Sequence, residues 1–139
     1  MNAADRQPLS EIFPRADRAP DGRTCLQLTR GGDFCYPLYY FIPSITADGR
    51  WLVYHRETPG RTHEIQLHRL DLATGDSAPL TACEAENAHW QPWGEDPARG
   101  VSGDRSALAP GRSLLIYLEG DRARALSVPT CEERDLFRI

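Results

Sequence analysis

One turn-and-strand pattern occurs twice in this chain and constrains its fold more than any other feature. The segment Thr46–Tyr54 reads TADGRWLVY, and Leu108–Tyr117 reads LAPGRSLLIY. Each copy places a Gly after Asp or Pro, then an Arg, then a run of strand-forming residues that ends in Tyr. Gly tolerates the positive φ of many tight turns, so each copy predicts a turn that leads into a strand.

The spacing of the strand ends indicates the size of the repeated unit. Short strand-like segments end at Thr29, Thr81 and Phe137, which are 52 and then 56 residues apart. A repeat of this length is typical of stacked units, and four strands per unit is the layout of a β-propeller blade. The second strand of a blade is covered on both faces, which accounts for an unbroken apolar run such as Trp51–Tyr54.

We therefore predict an all-β fold made of antiparallel propeller blades. Residues 1–23 hold three prolines and no sustained period, and we expect an irregular lead-in there. An outer strand is expected within 24–35, a four-stranded blade over 36–81 and a second blade over 86–139. From residue 24 onward we expect only strands, with two hairpins. These pair Trp51–Arg56 with Glu64–Asp71, and Ser113–Leu118 with Ala123–Val128.

Charge and cysteine content exclude several classes of protein. The 139 residues carry a net charge of −4 and no basic block, which argues against nucleic acid as a partner. No apolar run approaches the roughly 18 residues of a membrane span, and the N-terminus has no signal pattern. We therefore expect no membrane partner and a cytoplasmic location. The four cysteines form no C-x-x-C pair, and in the cytoplasm we expect them to be free thiols.

Three segments resemble the TolB-type propeller repeat. They are Asp48-Gly49-Arg50, the run LDLATG at Leu70–Gly75, and Leu80-Thr81. Within that group the chain is most similar to oligogalacturonate lyases. A segment that ends in LT comes before an aromatic YYF, the first blade follows at once, and TCEERDLFRI closes the second blade. The resemblance covers residues 24–139 and implies part of a seven-bladed propeller that degrades pectin-derived acidic oligosaccharides by β-elimination.

The resemblance also implies where the chemistry would lie. Such lyases use a divalent metal such as manganese, held mainly by histidines of later blades, so we assign no catalytic residue and no metal ligand to this chain. Two blades cannot close a ring, which normally takes four to eight. We therefore expect this chain to be the N-terminal portion of a propeller, with the remaining blades as its partner. Alone, it would be inactive and would associate or unfold through its open faces.

Aromatic and basic side chains are the candidates for substrate binding. Aromatic rings suit sugar faces and Arg suits uronate carboxylates, although inner-strand aromatics also fill the core between blades. The candidates near the inner strands and the rim are Tyr39, Tyr40, Arg56, His89 and Trp90.

The histidines of the first blade are poor joint metal ligands. With a hairpin centred on Gly60, His55 would lie opposite Ile65 and His68 opposite Leu52, roughly 10 Å apart along the ladder. Two other functions remain open alternatives. One is a non-catalytic TolB-type propeller that binds proteins, and the other is the propeller gate of a prolyl-oligopeptidase-type hydrolase.

Overall fold

The computed structural model of the chain describes residues 8–14, 16–29, 35–38, 42–57, 65–81, 106–119 and 121–138. These residues form ten strands in antiparallel sheets and one four-residue helix, α1 (Leu9–Ile12). From residue 24 onward, the described part contains strands and turns but no helix. The strands are β1 (Ala16–Arg18), β2 (Thr24–Leu26), β3 (Cys35–Pro37), β4 (Trp51–Glu57), β5 (Ile65–Asp71), β6 (Ser77–Pro79), β7 (Ser106–Leu108), β8 (Leu114–Glu119), β9 (Arg122–Ser127) and β10 (Glu133–Arg138).

The first four-stranded sheet, here called blade one, has the order β3-β4-β5-β6. Its central hairpin pairs Trp51 with Asp71 and Glu57 with Ile65, close to the predicted pairing. The register differs by two residues from the prediction for the histidines. His55 lies opposite Leu67 rather than Ile65, and His68 lies opposite Tyr54 rather than Leu52. The prediction was wrong because the pairing is centred on position 61, one residue beyond Gly60.

The second sheet, blade two, has the order β7-β8-β9-β10 along the chain. Leu114 pairs with Ser127 and Glu119 with Arg122, which confirms the predicted second hairpin to within a residue at each end. The two sheets have the same layout of four sequential antiparallel strands. The predicted all-β fold of two antiparallel blades is therefore confirmed.

The duplicated turn lies where the sequence placed it. Gly49 adopts a φ of 66°, and its N–H donates to the Thr46 carbonyl at 2.8 Å. The Asp48 carboxylate accepts bonds from the Thr46 hydroxyl and from the Arg50 N–H, which closes the turn directly before β4. Gly111 occupies the equivalent place before β8 with a φ of 69°. Both turns use glycine for the conformation that other residues rarely adopt.

The two blades share one apolar core. Leu38, Val53, Leu67 and Leu80 of blade one pack with residues of blade two that include Leu115. The other blade-two members are Leu108, Tyr117, Leu126 and Val128. Because alternate residues of a strand face opposite sides, this core covers one face of blade one.

The opposite face of blade one is covered by the N-terminal segment. Ile12 and Phe13 pack there against Tyr54, Leu70 and Leu72. The sequence predicted irregular structure over residues 1–23, but the described part of that range contains α1 and β1. The latter pairs with β2 as an antiparallel hairpin. The sequence did not predict these elements, because prolines interrupt any hydrophobic period before α1 and after it.

The helical part of the described chain is too short and too polar to cross a membrane. Three of the four cysteines lie in described residues, and none of these three forms a disulfide with another described residue: Cys25, Cys35 and Cys131. Cys83 lies outside the described residues.

Candidate functional site

The predicted substrate-binding residues can be placed only in part. Arg56 lies near the end of β4, opposite Cys35 on β3 and Gln66 on β5. It is half-buried and shares a face with Tyr54, two positions earlier. Tyr39, Tyr40, His89 and Trp90 lie outside the described residues. Their role in substrate binding therefore stays a prediction.

The inner strand of blade one carries an aromatic residue close to Arg56 in the strand ladder. β3 is the first strand of its blade, and Tyr36 lies there opposite His55. Residues 39–41, which hold the predicted ligand-facing tyrosines, begin one residue after the buried Leu38. The Leu38 side chain is fully buried in the core between the blades.

A buried polar contact joins the two blades beside this strand. The His55 Nε2 lies 3.5 Å from the Ser106 Oγ of β7, and the His55 Nδ1 lies 3.4 Å from the Pro37 carbonyl oxygen of β3. His55 is 4% exposed and Ser106 is 2% exposed. Burial disfavours the imidazolium and lowers the pKa of His55. A neutral ring with its tautomer fixed by the Pro37 carbonyl suits this position.

This Ser–His pair has the composition of a nucleophile and base but not the access that catalysis needs. Both side chains lie within the core between the blades, and the 3.5 Å separation exceeds the reach of a good nucleophile–base hydrogen bond. The pair is therefore a structural contact between blades. Sequence analysis missed it because the two residues are 51 positions apart and belong to different repeats.

The second buried histidine faces the other way. His68 lies opposite Tyr54, with the ring centroids 5.7 Å apart, and its Nε2 lies 3.1 Å from the Gln66 Oε1. Tyr54 packs against the N-terminal segment, whereas His55 points to blade two. The two histidines thus lie on opposite faces of one sheet. They therefore cannot bind one metal ion, and their placement on opposite faces is a stronger reason for this than the predicted spacing.

The described residues do not fit a metal centre. No group of three or more His, Cys, Asp or Glu side chains among them is arranged to hold a metal ion. The carboxylate with the largest set of partners is Asp71, which accepts two bonds from the Arg50 guanidinium at 2.6 and 2.5 Å and one from the Ala73 N–H. Burial opposes its ionisation, but these donors outweigh that effect and lower the pKa of Asp71. This carboxylate shapes the LDLATG turn.

The side chain of Arg69 connects blade one to blade two. Arg69 of β5 donates to the Val128 and Pro129 carbonyls just after β9, and its guanidinium lies 4.7 Å from the centroid of the Trp51 ring. Both carbonyl oxygens and the ring face are thereby occupied by one group. Arg69 is a bridge between the blades rather than a ligand-binding residue.

Comparison with known proteins yields matches among solved structures. No protein-family model and no curated protein matches this chain. An oligogalacturonate lyase in complex with manganese matches with a TM-score of 0.64 and 20% identity. An oligogalacturonate lyase from Vibrio parahaemolyticus matches with a TM-score of 0.65 and 16% identity. Both alignments cover 90% of this chain and 29% of the lyase.

The chain thus spans under a third of the length of the lyases it matches. At these identities the likeness concerns the backbone alone, and it extends over nearly all of this chain. The chain has the β-propeller fold of oligogalacturonate lyases, over the part of those lyases that it covers.

Proposed function

We propose that this chain forms part of a propeller that acts on pectin-derived acidic oligosaccharides by β-elimination. The observation that carries this proposal is the likeness of 90% of the chain to two oligogalacturonate lyases. The repeat residues Asp48, Gly49 and Asp71 support it, because they occupy the turns that the TolB-type pattern assigns to them.

The described residues would contribute structure and substrate contacts. β-Elimination needs a base to remove the C5 proton and a cation to stabilise the charge that develops on the carboxylate. No metal-binding cluster exists in the described part of this chain. We therefore assign the base, and a divalent cation such as the manganese of one matched lyase, to the remaining blades of a longer propeller. The location we propose is the cytoplasm.

Arg56 supplies the positive charge that can recognise a uronate. It is the only predicted substrate contact in the described residues, and it lies near the end of β4, opposite Cys35 on β3. A guanidinium that binds a carboxylate discriminates against the uncharged methyl ester of the same sugar. The predicted aromatic residues Tyr39, Tyr40, His89 and Trp90 would stack on sugar rings.

Binding by this chain tests the proposal. Isothermal titration with a short oligogalacturonate should show binding that methyl esterification of the ligand weakens about tenfold. Arg56→Gln should weaken binding of the acidic ligand by a similar factor. Arg112→Gln, in an exposed turn of blade two, is the matched control and should bind like the parent.

An activity assay completes the test. With manganese present, the chain should give no rise in ultraviolet absorbance from an unsaturated product. Turnover would show that the catalytic residues lie in this chain. Equal binding of the acidic and esterified ligands, or none of either, would contradict a role in acidic-sugar recognition. It would favour a propeller that binds protein.

A further inference from the structure

The outer edges of the two blades differ in a way that bears on association. β6, the outer strand of blade one, has three residues and ends in a proline. Short edge strands and prolines are common devices against edge-to-edge pairing. β10, the outer strand of blade two, has six residues, none of them proline, and all six are exposed. Phe137 is 62% exposed and Leu136 is 38% exposed.

A β-bulge in β10 sets which side chains share a face. Asp135 lies opposite Arg124 and Phe137 lies opposite Ala123, so Leu136 is the extra residue. The extra residue shifts the alternation by one. Glu133 and Arg138 therefore lie on one face of the sheet, and Arg134 and Phe137 lie on the other.

This arrangement makes the strand self-complementary. Two copies of β10, antiparallel and related by a two-fold axis through the bulge, place Glu133 opposite Arg138 and Arg134 opposite Phe137. Each pair occurs twice, and its members lie on one face. Without the bulge this register would set residues of opposite faces against each other. Opposite charges and cation–aromatic pairs stabilise neighbouring strands.

The charges within one copy favour a partner at both ends of the strand. Arg138 lies directly opposite Arg122 on β9, a pairing of like charges. Glu133 lies near Asp135, and partial desolvation of its carboxylate together with that negative charge raises the pKa of Glu133, even though Arg124 lies 2.8 Å away. A carboxylate beside Arg138 and a guanidinium beside Glu133 would relieve both. A second copy supplies them together.

We propose that the edge of β10 is a dimerisation surface, on which two copies of this chain pair β10 with β10 through Glu133–Arg138 contacts. Blade two of one copy and blade two of the other would then form one eight-stranded sheet across the two-fold axis. The outer strand of a propeller blade lies at the rim, so this pairing does not depend on how many blades follow or on the proposed function.

Sedimentation equilibrium of two charge variants tests the pairing. Arg138→Glu places two carboxylates against each other at both contacts of a homodimer, and Glu133→Arg places two guanidinium groups there. Each variant alone should raise the dimer dissociation constant about tenfold or more, because two contacts per dimer become repulsive. In an equimolar mixture, a heterodimer has no repulsive contact. One of its two contacts pairs the introduced carboxylate with the introduced guanidinium group, and the other pairs the native Glu133 with the native Arg138. It should form with a dissociation constant near that of the parent.

The mixture also controls for folding, because a variant that fails to fold cannot be rescued by its partner. Ile116→Ser, on the blade-two face and away from the β10 edge, should leave the dissociation constant unchanged. A monomeric parent or a mixture that stays monomeric would overturn the proposal. A dimer that only Ile116→Ser dissolves would also overturn it, and would place the contact on the blade face.

Discussion

At the scale of single residues, His55 makes the stability of the fold depend on pH. Its pKa is lowered because the ring is buried between the blades, whereas in the unfolded chain it returns to about 6.5. Between those two values the unfolded chain binds one more proton than the folded chain does. The stability contributed by the neutral ring is therefore complete above about pH 6.5. It falls as the pH drops below that value, by up to about 1.4 kcal/mol per pH unit.

The test compares the free energy of unfolding in urea at about pH 7.5 and about pH 5.5 in the parent and in His55→Gln. The parent should lose more stability on acidification, because glutamine does not titrate. The measure of the His55 contribution is the difference between the two proteins in the free energy of unfolding lost on acidification, not the absolute stability of the variant. Equal losses of stability in the two proteins would mean that folding does not change the pKa of His55.

At the scale of elements, the N-terminal segment rests on one glycine of blade one. Gly75 has a φ of 78°, and a Cβ added there would lie 3.1 Å from the Ile12 Cγ2. Gly111 has a similar φ of 69° with no atom within 4 Å of its added Cβ. Both Gly→Ala changes impose backbone strain, but only Gly75→Ala also displaces α1. We expect Gly75→Ala to cost about 1 kcal/mol more than Gly111→Ala.

Urea unfolding of the two alanine variants measures that difference. Limited proteolysis adds a readout specific to the segment, since cleavage before residue 24 should accelerate in Gly75→Ala and not in Gly111→Ala. Equal stabilities and equal cleavage would show that Ile12 and Phe13 do not depend on this contact.

The elements also show how far the sequence predicts the structure. The turns at Gly49 and Gly111 and both central hairpins were predicted, because local conformational preference and an apolar run determine them. The register of the first hairpin was wrong by two residues, since a long connection does not define its own centre. The packing of Ile12 on Gly75 had no local signal. Neither did the contact between His55 and Ser106, because such contacts depend on how repeats stack.

The candidate site was less predictable than the fold. Arg56 is where the strand pattern placed it, and strand alternation sets it on the same face as Tyr54. The sequence did not predict that the N-terminal segment packs against Tyr54 on that face. The four other proposed contacts, Tyr39, Tyr40, His89 and Trp90, lie outside the described residues. Binding measurements on their variants remain the means of assigning them.

At the scale of the whole molecule, the two blades are held together by a shared core and one cationic bridge. The core joins residues such as Val53 and Leu115, which are both fully buried, so the blades should unfold in one transition. Arg69 adds hydrogen bonds to the Val128 and Pro129 carbonyls and stacks on Trp51. This bridge spans from β5 to the turn after β9 and belongs to neither blade alone.

Removal of that bridge should weaken the junction without dividing the protein into two unfolding units. Arg69→Ala should lower the free energy of unfolding by about 2 kcal/mol, since a charged donor and a cation–aromatic contact are lost. Arg69→Lys should recover only part of this, because an ammonium lacks the planar fork that serves two carbonyls while stacking on a ring. Arg112→Ala, on an exposed turn, should stay within about 0.5 kcal/mol of the parent. Hydrogen exchange should show faster opening of β8 and β9 together with β4 and β5 in Arg69→Ala. Faster exchange in blade one alone would mean that the core does not couple the blades and that each unfolds independently.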